Sequence, residues 1–269
     1  MEERLAGGKL LLDRPADAVA RLTISNPERR NALDHEILDA IAETLPQLDR
    51  GIETRCVVIT GSPPLFSAGY DIAGIPDQTF ERDAEALVAH PFHAAMEAIA
   101  HHPWPTIAAI NGHCLGGGLE LAITCDLRIC ASGAKLGMPP AKLGLIYGHT
   151  GLRKFLDVVG LPYTKELFLT GRNLGAERAE QIGLVHSVAA SEEAVAEESV
   201  SLAAAIAENA PLSMRGNKHA IDLLQANPEL TEQQEAGLVA LRESCFSSED
   251  FREGIRAFAE KRRPQWTGR

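Results

Sequence analysis

The chain has 269 residues, of which 45% are hydrophobic, and a formal net charge of −11 at pH 7. This length and hydrophobic content suffice for one large α/β domain, or for a core with a smaller appendage. The acidic balance argues against a nucleic-acid-binding or anionic-membrane-binding surface, because proteins that neutralise phosphates carry clustered Lys and Arg.

Cysteine usage and the apolar runs predict a cytoplasmic protein. The five cysteines show neither the pairing nor the histidine spacing of a metal site, so we expect buried thiols in a reducing compartment and no bound metal. The first eight residues lack a signal-peptide pattern, and no apolar run approaches the ~20 residues that a membrane span needs.

The first predicted elements are a strand, a helix and a second strand. Residues Ala18–Ser25 alternate between apolar and polar, which predicts a strand with one exposed face. From Asp34 onward, apolar residues recur at helical spacing and predict an amphipathic helix. The short apolar run Cys56–Thr60 predicts a strand that is buried on both faces.

The same alternation continues along the chain. The pattern predicts a helix over Ala84–His101, a buried strand over Thr106–Ile110, a helix from Leu119 and a strand over Asp126–Ala131. Beyond about Ser191, Ala, Glu and Leu dominate and the strand signal disappears. We therefore predict an α/β core over residues 1–200 and a helical region over residues 201–269.

Two glycine-containing segments each follow an apolar strand, where backbone amides at a helix start can point at a ligand oxygen. They are Phe66–Ile72 and Ile110–Glu120. Three consecutive glycines, 116–118, cost up to ~1 kcal/mol each relative to Ala in a helix, so either a ligand or a close packing contact requires them. Their spacing is neither the dinucleotide fingerprint nor a phosphate loop.

These motifs together resemble the crotonase, or enoyl-CoA hydratase/isomerase, superfamily over essentially the whole chain. The resemblance rests on Asn26–Glu28 with Asn31–Leu33, Phe66–Ile72, Asn111–Asp126, and Phe258 with Lys261. It implies an α/β fold, namely a crotonase-type spiral of ββα units. It also implies a C-terminal α-helical region that builds homotrimers, usually paired into hexamers.

The resemblance implies an acyl-CoA substrate and an oxyanion hole made by the backbone amides of Tyr70 and Gly117. Two preorganised N–H groups stabilise the thioester oxygen most strongly when it carries the negative charge of an enolate. Because the backbone donates, the Tyr70 side chain is free either to face the substrate or to line the pocket.

Coenzyme A is then part of the substrate, and no separate cofactor is expected. The resemblance places its adenine near Ala68 and the segment of Arg29 and Arg30, since its phosphates require cations. Phe258 and Lys261 match the family's C-terminal contact to the coenzyme, which a neighbouring subunit often supplies.

The reaction depends on two positions that carry glutamates in family hydratases. Glu120 occupies the first, but the second is Pro140, which cannot act as an acid or a base. Loss of carbon dioxide produces an enolate without a base. Within the superfamily the sequence is most similar to the methylmalonyl-CoA decarboxylase group, which implies that Tyr147 orients the substrate carboxylate. The sequence thus favours decarboxylation of a malonyl-type CoA thioester.

Two alternatives remain open from the sequence. One is an enoyl-CoA hydratase or isomerase that uses Glu120, or a carboxylate from residues 75–85. The other is a non-catalytic acyl-CoA-binding protein that retains the oxyanion hole. An acid in the first turn of a helix is also favoured by the helix dipole, so Glu120 has a structural reading beside the catalytic one. The decarboxylase group carries His where this chain has Tyr70, which leaves the acyl group undetermined.

Overall fold

The computed structural model describes residues 2–71, 88–227 and 229–269. Its larger sheet has seven strands in the order β1-β2-β3-β4-β6-β8-β11. The first three strands pair antiparallel and the others pair parallel. The strands are β1 (Glu3–Leu5), β2 (Leu10–Ala16), β3 (Val19–Ile24), β4 (Cys56–Gly61), β6 (Thr106–Ile110), β8 (Leu127–Ala131) and β11 (Ser187–Ala189).

A smaller sheet has four short strands in the order β10-β9-β7-β5. They are β5 (Leu65–Ser67), β7 (His113–Leu115), β9 (Lys135–Gly137) and β10 (Leu174–Gly175). Strands β5, β7 and β9 pair parallel, and β10 closes the edge antiparallel to β9.

The helices of the described ranges connect and cover these sheets. They are α1 (His35–Leu48), α2 (His93–Ala100), α3 (Gly117–Thr124), α4 (Pro140–Leu143), α5 (His149–Thr170), α6 (Ala176–Gln181), α7 (Glu192–Ala207), α8 (Pro211–Ala226), α9 (Glu232–Ser247) and α10 (Glu249–Glu260). Short helical turns also occur at Ala6–Gly8, Pro27–Arg29 and Val88–Phe92.

The chain builds the two sheets by repetition. Strand β4 enters the large sheet and β5 the small one, and β6 with β7 and β8 with β9 repeat this step. A helix follows the second and third of these pairs directly. The ββα spiral predicted from the family resemblance is therefore confirmed, with the C-terminal helices after it.

A helix cap and strand burial explain why α1, β4 and β6 form where the sequence pattern predicts them. Asp34 caps α1, since its side chain accepts a hydrogen bond from the amide of Ile37 at 2.9 Å. Residues 56–59 and 106–110 are fully buried, as expected of parallel strands covered on both faces. The predicted helix over residues 84–101 is described from residue 88, and its first part lies outside the described residues.

The predicted boundary near Ser201 falls inside α7. This helix packs on the large sheet and buries Val195, Ser199 and Ala203. Residues up to Ala207 therefore belong to the layer that covers the sheet, and α8, α9 and α10 follow it.

None of the helices in the described ranges combines the length and apolar character that a bilayer crossing needs. In the same ranges, no group of three or more His, Cys, Asp or Glu side chains is arranged to hold a metal ion. Four of the five cysteines are buried free thiols, and burial raises the pKa of Cys56 to about 12.

Candidate active site

Asn31 anchors the loop that carries Tyr70. Its buried side-chain amide donates to the carbonyl oxygens of Ser62 at 2.7 Å and Leu65 at 2.8 Å. The hydroxyl of Ser67 donates to the Asn31 carbonyl at 2.7 Å and accepts from the Gly69 amide at 3.1 Å. These bonds hold the backbone that leads into Tyr70 in one conformation.

A two-bond bridge to Leu33 sets the direction of the Tyr70 amide. The Leu33 amide donates to the Gly69 carbonyl at 2.8 Å, and the Asp71 amide donates to the Leu33 carbonyl at 3.0 Å. In a parallel bridge the N–H of the residue between these two bonds points away from the partner strand. Among the described residues, the Tyr70 N–H has no acceptor.

The second amide begins α3. Gly116 caps this helix with a φ of 54°, and its carbonyl accepts from the amides of Leu119 at 2.9 Å and Glu120 at 3.1 Å. The Gly117 N–H belongs to the first turn, which has no intrahelical acceptor, and none is found for it in the described part of the chain.

Close contact between the two loops explains several glycines. Gly69 has a φ of +98°, and a Cβ on it would lie 3.1 Å from the Gly117 nitrogen. A Cβ on Gly118 would lie 2.7 Å from the Cβ of Ser67. Close packing therefore accounts for these glycines, and it brings the Gly69 loop against the Gly117 nitrogen. The ligand explanation stays a prediction.

The Tyr70 side chain covers the start of α3. A Cβ on Gly117 would lie 2.6 Å from Cε1 of the Tyr70 ring. The ring packs edge-on against Phe92 with centroids 4.7 Å apart, and its hydroxyl lies 3.1 Å from the hydroxyl of Tyr147. The phenol therefore extends from one amide of the proposed oxyanion hole to Tyr147.

Glu120 completes this cluster one turn into α3. Its side chain is only 4% exposed, and the Tyr147 hydroxyl donates to Glu120 Oε2 at 2.5 Å. Because a phenol has one proton to donate, Tyr147 accepts from Tyr70. The result is a continuous chain of hydrogen bonds from Tyr70 through Tyr147 to Glu120.

Burial governs how these groups ionise. It raises the pKa of Glu120, while the hydrogen bond from Tyr147 and the charges of Lys154 and His93 lower it. Burial and then the charge of Glu120 raise the pKa values of both phenols. Tyr70 and Tyr147 therefore stay protonated near neutral pH, and the basic group of the cluster is the carboxylate.

The Tyr147 hydroxyl donates a hydrogen bond to Glu120 in this structure. The family resemblance implies that it orients a substrate carboxylate, and that role stays a prediction. A second carboxylate beside Tyr147 would also face the charge of Glu120. Pro140 is the buried first residue of α4 and supplies no acid or base. The alternative acids of residues 75–85 lie outside the described residues.

The residues predicted to bind the adenine end lie together beside the Tyr70 loop. The Ala68 amide donates to the Arg30 carbonyl at 3.1 Å, and Arg29 Nε lies 3.4 Å from a carboxylate oxygen of Asp71. Arg29 and the Arg30 backbone thus lie beside the Tyr70 loop. Binding of the adenine end by Arg29, Arg30 and Ala68 stays a prediction.

Phe258 and Lys261 lie elsewhere in the same chain. Phe258 is 88% exposed and borders a groove of about 1440 Å³ that also takes in Thr124, at the far end of α3 from Gly117. Those two ends are seven helical steps of 1.5 Å apart, which is about 10 Å. Lys261 caps α10 with a φ of 53°. A coenzyme contact from Phe258 or Lys261 through a neighbouring copy stays a prediction.

Other polar residues near the motifs make contacts away from the two loops, or lie at the surface. Asp126 accepts from the Thr106 amide and hydroxyl and pairs with Lys218 at 2.6 Å. His113 is exposed, and its ring accepts a hydrogen bond from the Lys135 amide at 3.2 Å. His149 is exposed at the start of α5.

Two features of the site were not predicted from the sequence, namely the contacts of Asn31 and of Gly151. Asn31 was part of a motif, but nothing in that motif shows the two carbonyls, one amide and one hydroxyl that its side chain bonds. Gly151 was not singled out, although an isolated glycine in a helical pattern indicates a close approach. A Cβ on Gly151 would lie 2.7 Å from Glu120 Oε2.

Comparison with known proteins agrees with this geometry. The family model described as enoyl-CoA hydratase/isomerase matches residues 14–269. The chain belongs to the enoyl-CoA hydratase/isomerase family. It is 39% identical over 251 residues to a probable enoyl-CoA hydratase of Bacillus subtilis, covering 93% of this chain and 95% of that protein.

Solved structures extend the family likeness to the fold. A putative enoyl-CoA hydratase/isomerase family protein from Hyphomonas neptunium superimposes with a TM-score of 0.88 at 34% identity, over 97% of this chain and 98% of that one. An enoyl-CoA hydratase from Bacillus anthracis superimposes with a TM-score of 0.87 at 31% identity, over 97% and 100%. These similarities show the family and leave the predicted methylmalonyl-CoA decarboxylase group a prediction.

Proposed function

We propose that this family member adds water reversibly to an enoyl-CoA thioester, with Glu120 as its acid and base. The observation that carries the proposal is the buried Glu120 carboxylate, held by Tyr147 three residues after the Gly117 amide. Residues three apart share one face of a helix, so the carboxylate and the oxyanion donor serve the same side of α3.

One carboxylate suffices for the proton transfers. The amides of Tyr70 and Gly117 stabilise the thioester oxygen as negative charge develops on it. Glu120 takes a proton from water while the water oxygen bonds to the β-carbon, and the resulting carboxylic acid returns that proton to the α-carbon. The raised pKa of Glu120 favours both steps, because a base works best when its pKa is near the operating pH.

The same cluster weighs against decarboxylation, the reaction that the sequence favoured. A malonyl-type carboxylate next to Tyr147 would lie beside Glu120, and like charges in a buried site repel strongly. The Tyr147 hydroxyl also already donates its one hydrogen bond to Glu120. The similarity to a probable enoyl-CoA hydratase of Bacillus subtilis supports hydration as well.

We propose that the substrate brings coenzyme A and that no further cofactor takes part. Its adenine end would lie at Arg29, Arg30 and Ala68. The working form would be a cytoplasmic homotrimer or hexamer, in which Phe258 and Lys261 of one copy contact the coenzyme bound to another.

The test compares crotonyl-CoA, malonyl-CoA and methylmalonyl-CoA with the purified protein, each product being identified by mass. We expect water to add to crotonyl-CoA, and Glu120→Gln to lower kcat by about 10²- to 10⁴-fold, the usual contribution of acid–base catalysis. The matched control Glu43→Gln removes an exposed carboxylate of α1 and should leave kcat unchanged.

The other outcomes separate the alternatives. Release of carbon dioxide from a malonyl-type thioester without hydration of crotonyl-CoA would reject the proposal. Saturable binding of all three thioesters without turnover would indicate a non-catalytic acyl-CoA-binding protein. If Glu120→Gln still hydrates crotonyl-CoA at the wild-type rate, another residue must act as the acid and base.

A further inference from the structure

Gly151 lies in the first turn of α5 and has no conformational need to be glycine. Its φ is not among the positive values found in the described residues, so its backbone is ordinary helix. An alanine in such a position is normally better than glycine, because it restricts the unfolded chain and costs nothing in the helix. The reason for glycine must therefore lie in what surrounds it.

The surroundings are the side chains of Glu120 and of Tyr147, its hydrogen-bond donor. A Cβ on Gly151 would lie 2.6 Å from Cε1 of Tyr147, 2.7 Å from Oε2 of Glu120 and 2.8 Å from its Cδ. Real Cβ atoms do not approach other heavy atoms so closely. By contrast, Gly237 in α9 has no atom within 4 Å of the corresponding Cβ position.

We propose that Gly151 is a positioning residue, whose bare Cα lets α5 press on Glu120 and Tyr147 and hold them in hydrogen-bonding register. This inference rests on the proposed role of Glu120. It identifies α5 as the second helix that positions the carboxylate: α3 carries Glu120, and the first turn of α5 packs against the Glu120 side chain.

An added methyl group would displace the pair, because the helix cannot easily withdraw. Further along, α5 is anchored in the core by the buried side chains of Phe155 and Val159, and its first turn is closed by the bond from the Leu152 amide to the Gly148 carbonyl at 3.0 Å. The atoms that can move are the ends of the Glu120 and Tyr147 side chains, and moving them apart breaks their hydrogen bond. Glu120 would then stay buried without the contact that lowers its pKa.

The experiment compares Gly151→Ala with Gly237→Ala, using crotonyl-CoA. We expect Gly151→Ala to lower kcat by about 100-fold, as a displacement of about 1 Å can do, with KM changed little. The acid limb of its pH profile should move to higher pH, because Glu120 loses a contact that favours its ionised form. Gly237→Ala should change neither. Normal kcat and an unchanged profile in Gly151→Ala would overturn the inference.

Two further measurements keep the inference testable if Gly151→Ala folds poorly or if hydration is not the reaction. In a Tyr147→Ala variant the space of the phenol ring is free for the added methyl group and the displaced Glu120 side chain. Adding Gly151→Ala to that variant should therefore lower neither its activity nor its melting temperature any further. Full additive losses would contradict the positioning role. A crystal structure of Gly151→Ala should show Tyr147 and Glu120 separated beyond hydrogen-bonding distance, and an intact bond would reject positioning whatever the reaction is.

Discussion

At the scale of single residues, Tyr147 controls the acidity of Glu120. Its hydroxyl donates the hydrogen bond that opposes the effect of burial on the Glu120 pKa, and it is itself supported by Tyr70. A hydrogen bond to a charged group contributes about 1.5–3 kcal/mol, which corresponds to roughly one to two pKa units. The phenol therefore sets the pH at which the carboxylate becomes a base.

Tyr147→Phe should shift the pH profile of kcat/KM. Without the hydroxyl the folded-state pKa of Glu120 rises, and the ionised form that accepts the water proton appears only at higher pH. We expect the acid limb to move up by roughly one pH unit. The control Tyr163→Phe alters a partly buried phenol elsewhere on α5. An acid limb that stays in place, or moves to lower pH, would contradict this account.

At the scale of elements, Lys218 joins the C-terminal helices to the large sheet. From α8 it reaches the Asp126 carboxylate at 2.6 Å and the Trp104 carbonyl at 3.3 Å. The same carboxylate accepts from the Thr106 amide at 2.7 Å, at the first residue of β6. Only 10% of the Lys218 side chain is exposed, so solvent screens this pair weakly.

Lys218→Met should loosen α8 more than it disturbs the reaction. Removing one partner leaves Asp126 with an uncompensated charge, which in a partly buried pair should lower the free energy of unfolding by about 2 kcal/mol. Urea unfolding measures that loss, and hydrogen exchange should show faster exchange over residues 211–226. Lys165→Met, an exposed lysine of α5, is the control. Equal stability of the two variants would show that the pair contributes nothing.

How far the sequence predicts these elements depends on their length and burial. The runs 56–60 and 106–110 are apolar on both faces and were identifiable as buried strands. Strands of two or three residues, as in the smaller sheet, are too short to show a period. Glu120 and Gly117 were found through one contiguous motif. The bond between Tyr147 and Glu120 links residues 27 apart and arises only from the packing of α5 on α3.

At the scale of the whole molecule, the outer surface carries large apolar side chains that a lone chain leaves in water. They are spread over α5, α8 and α10, with exposures of 73% at Leu169, 63% at Ile221 and 88% at Phe258. Ile221 and Phe258 border the same groove, and exposed apolar surface of this kind on a soluble protein commonly marks an association site. It agrees with the predicted trimer or hexamer, in which Phe258 would serve a neighbouring site.

Subunit complementation tests that arrangement directly. Glu120→Gln copies keep Phe258 but lack the base, and Phe258→Ala copies keep the base but lack the aromatic contact. If one copy's Phe258 contacts the coenzyme of another, co-expressed mixed oligomers contain sites with both residues intact. Turnover of crotonyl-CoA at low concentration should then exceed that of the two variants assayed separately. The wild-type protein should have the mass of three or six chains by light scattering.

The control is to mix the two purified variants under conditions that prevent exchange of subunits, which should give only the sum of their activities. A wild-type monomer that turns over substrate, or mixed oligomers with merely summed activity, would place Phe258 outside the neighbouring site. Because both residues of a restored site come from different chains, a gain on co-expression has no explanation within one chain. Coenzyme binding and assembly would then be coupled by mass action, and KM would rise on dilution of the protein.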